Sequence, residues 1–562
     1  MMHTRQPSMH LLLGALCLVL SFVAQAQQQP GRAAIASAHP AASVAGEETL
    51  AQGGNAFDAA VAISAALAVV EPYGSGLGGG GFFLLREAGE TPAFRFIDAR
   101  ERAPLAADAD LYRRDGKVQR ELSLNGALAA AIPGLPAALV HLAERYGRLP
   151  LADSLAPAIR LARDGFTVDR VYRERATWRL AALRDDAESA RLFLTDGEVP
   201  AERTLLRQPE LAATLQRLAE AGHAGFYAGA MAKTLVEGVR AAGGIWQLDD
   251  LRQYQVVERE PLRVSLNEQR ELISAPPPSA GGLAIAQSLL MLQELPWREA
   301  APVQRTHYVV EALRRAYRDR GLLGDPDFVR NPTAQLLTPE HLHSLTRSID
   351  PERATPSDQL EAAPGIHEGD HTTHFSVLDA QGNAVAATLS INLPFGAAFT
   401  VPGTGVLLND EMDDFAADVE GANAYGLVGS HANAIAAGKR PLSSMSPTFI
   451  DSPEAFTSFG TPGGSRIPSM VLLSILAYLD EQPIEQWPAV ARYHHQFRPD
   501  VIEHEPDTFS VEQRQALEAR GYTLKALERT YGNQQVLRWN KRDNQVEAAS
   551  DPRGIGTAVV TP

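Results

Sequence analysis

Two short segments joined by a turn constrain this chain more than any other part of it. Thr372 to Leu378 and Ala384 to Asn392 alternate in character, and Gln381-Gly382-Asn383 lies between them. Alternation interrupted by Gly-Asn reads as a β-hairpin. With Gln381 at the centre of the turn, Thr372 faces Ser390, and Asn392 lies just beyond. Two hydroxyls and an amide then share one face at the start of a strand. A one-residue slip in register would destroy that arrangement. The run from Pro351 to Asp370, polar and rich in Pro and Ala, leads into it without a helical or strand period. A hairpin with surface threonines fits the same pattern, so the pattern alone assigns no chemistry.

The chain around the hairpin is long and globular in composition. Its 562 residues, 45% hydrophobic and 21% charged, suffice for a large core. No Gly/Ser linker or sustained charge block divides it. A formal charge of -16 argues against nucleic acid and against an anionic membrane as partners. Met1 to Ala26 reads as a secretory signal: Arg5 supplies the positive end, Leu11 to Val23 the apolar core and Ala24-Gln25-Ala26 the cleavage site. That apolar core is too short to span a bilayer. Cys17, the only cysteine, lies within it and follows Leu16 rather than a small residue, which disfavours a lipid anchor. The mature chain would hold no cysteine, so disulfides, thiolate catalysis and cysteine-bound metal are excluded. An exported protein without disulfides fits a bacterial periplasm or secretion from a bacterium.

From Ala33 to Val70 the pattern is Ala-rich and apolar and predicts a buried helix entered through Gly53-Gly54-Asn55, with Asn55 or Asp58 as its cap. Gly74-Ser75-Gly76-Leu77 and four further glycines then lead into the apolar strand Phe82 to Leu85. A phosphate cradle lies between a strand and a following helix and ends in Lys-Ser/Thr; this run does neither, so close backbone packing or a pocket wall is its reading. Phe94 to Asp98 alternates as a strand and delivers Arg100 at its end. Pro133 to Arg320 is mostly helical by period, over Leu135 to Tyr146, Leu155 to Arg163, Glu210 to Ala221, Ala230 to Ala242 and Val303 to Leu323. Ala275 to Gly282, with its three prolines, predicts a rigid structural loop before a helix from Leu283 to Leu292. His307, His341 and His343 show no metal-ligand spacing and read as core or surface histidines.

HTTHFSVLDAQGNAVAATLSINLPFG around the hairpin, LLNDEMDDF (Leu407 to Phe415), KRPLSSMSPT (Lys439 to Thr448) and GTPGGSRI (Gly460 to Ile467) resemble the small subunit of γ-glutamyltransferases. GSGLGGGGF (Gly74 to Phe82) and DARERAP (Asp98 to Pro104) resemble the large subunit of the same family. The six motifs keep the family's order from about Ala34 to the C-terminus. The resemblance implies an α+β fold, the four-layer αββα sandwich of the N-terminal nucleophile hydrolases. It also implies self-cleavage between His371 and Thr372. One domain would then be a heterodimer from one precursor, residues 27–371 as large subunit and 372–562 as small catalytic subunit.

A hydroxyl is a poor nucleophile until a base takes its proton. Once the chain is cut, Thr372 would carry a free α-amine with a pKa near ~8, able to serve as that base. The same hydroxyl would first attack the carbonyl of His371, giving an ester that water opens. Ser390 would orient it; family members often carry threonine there, and serine leaves the rotamer less restrained. Gly463 and Gly464, between a strand at Ala455 to Phe459 and a helix from Ile467, would offer backbone N–H groups to an oxyanion.

By resemblance, Arg100 with Ser443 and Ser444 holds the substrate α-carboxylate, and Asn392, Glu411 and Asp414 accept from its α-ammonium. Tyr425 belongs to a lid loop from Asn423 to Lys439 that limits water access. No cofactor and no metal are implied; Asp413-Asp414 lacks the further acidic repeat of a calcium loop. The implied partners are glutathione or other γ-glutamyl compounds, with amino acid or dipeptide acceptors, and no membrane anchor. Two alternatives remain: a glutaryl-type β-lactam side-chain acylase on the same scaffold, and a non-catalytic γ-glutamyl-binding protein.

Overall fold

A computed structural model describes residues 29–360, 372–417 and 430–561. The signal segment, His371 and Tyr425 therefore lie outside the described residues. The hairpin forms in the expected register: Thr372–Leu378 and Ala384–Ser390 pair antiparallel, with Thr372 opposite Ser390 and Leu378 opposite Ala384. Asp379 fixes the turn. Its Oδ1 accepts from the N–H groups of Gln381 and Asn383 at 3.0 and 2.9 Å, and Gly382 takes φ +94 there.

Both edges of the hairpin are paired, because it lies in the middle of a seven-stranded sheet, and both faces are covered by the layers on either side. The order is Thr557–Thr561, Ala33–Ser37, Thr372–Leu378, Ala384–Ser390, Gly80–Glu87, Ala93–Ala99 and Val257–Arg259. A second sheet of six strands runs Gln545–Ser550, Gln535–Asn540, Ala455–Phe459, Thr448–Asp451, Glu271–Ser274 and Leu262–Ser265. One face of the first sheet (Phe83, Leu85, Phe375, Val377) packs on the helices Pro40–Ala51, Ala56–Val70 and Leu135–Arg145. The other (Phe82, Leu84, Leu378, Ala386) packs on the second sheet. The far side of that sheet is covered by Gly281–Gln293, Pro302–Arg320 and Ile467–Leu479. The result is the four-layer αββα sandwich that the resemblance implies. Each sheet takes strands from both sides of Thr372, so a cut at that residue would leave two chains sharing one core.

Ala56–Val70 is buried over all its residues and capped by a reciprocal Asn55/Asp58 box, so both expected caps act together. Its first N–H, at Ala56, donates to Asp379 Oδ2 at 3.0 Å and ties the helix to the hairpin turn. The glycine run after it is close packing. A Cβ on Gly79 would stand 2.2 Å from Ser390 O, and one on Gly80 2.3 Å from Ala99 O. The proline loop packs against Ser443, whose N–H donates to Pro278 O at 2.8 Å, and is a structural turn. His341 and His343 do have acidic neighbours, Asp319 at 2.6 Å and Glu294 at 3.1 Å, but no group able to hold a metal occurs among the described residues. None of the described helices is long and apolar enough to cross a membrane.

Candidate active site

Sheet register builds the site. Thr372 pairs with Ser390, Ser390 with Gly80, and Gly81 with Ala99, the residue before Arg100. These residues form one row across four strands, with Thr372 at one end and Arg100 at the other. Neighbouring strands lie about 4.8 Å apart, so the row spans about 14 Å. Beyond Thr372 the row stops. The next strand pairs only as far as Ser37 opposite Phe375, and the chain then leaves the sheet for the helix at Pro40.

Thr372 is 9% exposed and lines a cavity of about 940 Å³ together with Gly463. Gly463 takes φ +139 and Gly464 φ +54, and the turn Gly464–Arg466 runs into the helix Ile467–Leu479. Among the described residues, neither glycine N–H has an acceptor, which leaves both available to an oxyanion. The loop is braced from behind. Tyr317 OH donates to Ser465 O, and Ser465 Oγ to Gln496 Oε1 at 2.7 Å. Ser390 Oγ accepts from the N–H of Asn392 at 2.8 Å, and Asn392 takes φ +71. Its Nδ2 donates to Asp410 O at 2.9 Å, so the Asn392 amide is oriented by Asp410.

At the other end of the row, the structure gathers Arg100, Glu411 and Asp414 into one buried cluster. Arg100 Nη1 meets Glu411 Oε2 at 2.8 Å, and Nη2 donates to Asp414 Oδ2. Arg100 also reaches Pro441 O at 3.3 Å and Leu442 O at 3.5 Å, directly beside Ser443 and Ser444. Ser443 Oγ accepts from Met445 N–H, and Ser444 Oγ from Arg320 Nη2 at 3.1 Å. The expected head-group residues are thus neighbours, with the guanidinium paired to both carboxylates. Glu411 Oε1 accepts no hydrogen bond among the described residues. Burial, reinforced by the Glu411 carboxylate, pushes the Glu101 carboxyl well above its usual range, against the pull of Arg100 Nη1, which lies 3.5 Å from Glu101 Oε2. One guanidinium thus meets three carboxyl groups, those of Glu101, Glu411 and Asp414.

Two partners escaped the sequence reading. Glu101 stands inside a motif but was overshadowed by Arg100. Glu71, just past the helix Ala56–Val70, accepts from Thr373 Oγ1 at 2.7 Å and from Tyr73 OH at 3.2 Å. Burial raises its pKa. A contact between residues 302 positions apart leaves no local pattern to find.

His374 shares the face of Thr372, but it is wedged between the sheets. Its Nδ1 bonds Thr388 Oγ1 at 2.8 Å, and a Cβ on Gly460 would stand 2.1 Å from its ring. Burial pulls its pKa down to about 3, so it is neutral wherever the enzyme would work and does not titrate near neutrality. The acid limb of kcat/KM is therefore expected to report the freed Thr372 amine, within about two units of ~8. His374→Gln should keep that limb even if the rate falls. Loss of all turnover in a cleaved, folded His374→Gln enzyme would show that the amine is not the sole base.

Comparison with known proteins gives a consistent result. The family profile described as Gamma-glutamyltranspeptidase matches residues 42–561. The glutathione hydrolase proenzyme of Pseudomonas sp. (strain A14) is 40% identical, covering 91% of this chain and 90% of that protein. That of Escherichia coli (strain K12) is 37% identical over 93% and 90%. A solved cephalosporin acylase from Bacillus halodurans superposes with a TM-score of 0.83 at 25% identity, over 94% of this chain and 95% of that one. A chain of Helicobacter pylori γ-glutamyltranspeptidase gives a TM-score of 0.56 at 34% identity, over 58% of this chain and 94% of that one. Sequence relatives that match nearly end to end, with the fold expected of them, leave one assignment: the chain belongs to the γ-glutamyltranspeptidase family.

Proposed function

We propose that this protein is an autoprocessing γ-glutamyltransferase and glutathione hydrolase with Thr372 as nucleophile. The observation that carries the reading is a hydroxyl on the first residue of a central strand. It lies opposite Ser390 and shares a cavity with Gly463. In the precursor, Thr372 Oγ attacks the carbonyl of His371 and its own amide nitrogen leaves as an amine. Water then opens the ester, freeing residues 27–371 and 372–562 as large and small subunits. In turnover the amine takes the hydroxyl proton, and the oxygen attacks the γ-carbonyl of the substrate. Gly463 and Gly464 N–H groups hold the oxyanion, the C–N bond breaks, and the departing amine takes the proton from the Thr372 ammonium. The γ-glutamyl ester is resolved by water, or by the amine of an amino acid or dipeptide acceptor.

Ser390 orients the nucleophile. Arg100, Ser443 and Ser444 hold the α-carboxylate, while Asn392, Glu411 and Asp414 hold the α-ammonium, with Tyr425 on a lid. Residues 1–26 act as a signal removed after Ala26, and the enzyme works in the periplasm or outside the cell. The acylase likeness favours a second reading, a glutaryl-specific acylase. Glu411 and Asp414 argue against it, because a glutaryl chain has no ammonium to offer them. One experiment tests the reading: purified mature protein should run as two chains and release the amine from γ-glutamyl anilide, faster with a dipeptide acceptor. A single chain without that activity would overturn it.

A further inference from the structure

The row that begins at Arg100 ends at Thr372, and what lies past its end is the cavity rather than another strand. A γ-glutamyl peptide with its head at Arg100 and its γ-carbonyl at Thr372 must place its leaving group there. The cavity walls are unusual for this chain. Among the described residues, five arginines and three glutamates line it, in a protein whose formal charge is -16. Three of these arginines gather around one glutamate at the mouth. Glu174 meets Arg170 at 3.8 Å and both Arg175 and Arg529 at 3.4 Å. Trp178, from the same helix Arg170–Asp185, is 46% exposed beside them, with the Arg529 guanidinium 5.6 Å over its ring.

We propose that this cavity is the leaving-group and acceptor subsite, and that Arg175 and Arg529 there select peptides with a free C-terminal carboxylate. The two roles share one place because acceptor attack on the ester is the reverse of leaving-group departure. Two residues of extended chain span about 7 Å, so a dipeptide leaving group reaches about that far from the nucleophile into the cavity that the arginines also line. There its carboxylate meets the guanidinium fork and its side chains meet the Trp178 ring.

The inference rests on the γ-glutamyl reading above, and its test separates the two. Hydrolysis of glutathione is compared with hydrolysis of its C-terminal glycinamide analogue, whose glutamyl head and scissile bond are the same. Wild type should prefer the acid by about 10-fold in kcat/KM at low salt, and the preference should shrink as salt screens the open mouth. In Arg175→Gln/Arg529→Gln the ratio should fall to within about 3-fold, and Arg529→Lys should restore part of it. Equal rates on acid and amide by wild type would overturn the subsite, even if the double variant failed to fold. So would a processed double variant that kept the full preference. Wild type that releases nothing from γ-glutamyl anilide would instead sink the proposed function.

Discussion

Thr372→Ala is expected to accumulate as a single folded chain with turnover below about 10⁻³ of wild type. Both losses come from one missing oxygen. Without it the His371 carbonyl has no attacker, so the chain stays intact and no α-amine is freed. Folding should survive, because Thr372 lies at the first position of its strand and the register is set by the turn at Asp379 and six further pairs. Thr372→Ser separates chemistry from fold. It keeps the hydroxyl but loses the methyl group that restricts χ1, so it should cleave slowly and then work at a reduced rate. Chain length on a denaturing gel over time after purification gives the answer. A fully processed Thr372→Ala protein, made without added protease, would overturn the mechanism.

The register of the hairpin could be read from the chain because it depends on local facts: a Gly-Asn turn, equal arms and seven consecutive pairs. Its exposure could not. Alternation suggested one wet face, yet the polar row is buried and bonded to another polar row. Ser376 Oγ meets Ser458 Oγ of the second sheet at 2.7 Å, and His374 meets Thr388. Satisfied buried hydroxyls look in sequence like solvent-facing ones. Ala33–Ser37 lies in an Ala-rich apolar stretch whose composition assigns it no element, and only pairing with Thr557–Thr561 and the hairpin makes it a strand. Leu262–Ser265 and Glu271–Ser274 were hidden in a stretch read as mostly helical for the same reason: partners far along the chain decide a short strand. The motifs picked out Arg100, Glu411 and Asp414 separately. That they form one ion-paired cluster is a property of the fold, which brings together residues 314 positions apart.

That cluster makes the second large effect asymmetric. Arg100 is 1% exposed and compensates Glu411 and Asp414 at once. Arg100→Met would leave those carboxylates buried without a cation, a loss of about 3–5 kcal/mol, and the chain should fold and process poorly. Asp414→Asn is gentler, since Glu411 still balances the guanidinium at 2.8 Å. This variant should fold and cleave normally. What it loses is the charge-assisted contact to the substrate ammonium, worth about 1.5–3 kcal/mol, or about 10- to 200-fold in kcat/KM on γ-glutamyl anilide. The matching measurement uses glutaryl anilide, which lacks the ammonium. Wild type should prefer the γ-glutamyl compound strongly, and Asp414→Asn should narrow that preference by nearly the whole loss, because its rate on glutaryl anilide has no such contact to lose. Equal activity of wild type and Asp414→Asn on γ-glutamyl anilide would remove Asp414 from head-group recognition. A wild type that favours glutaryl anilide would make the acylase reading the correct one.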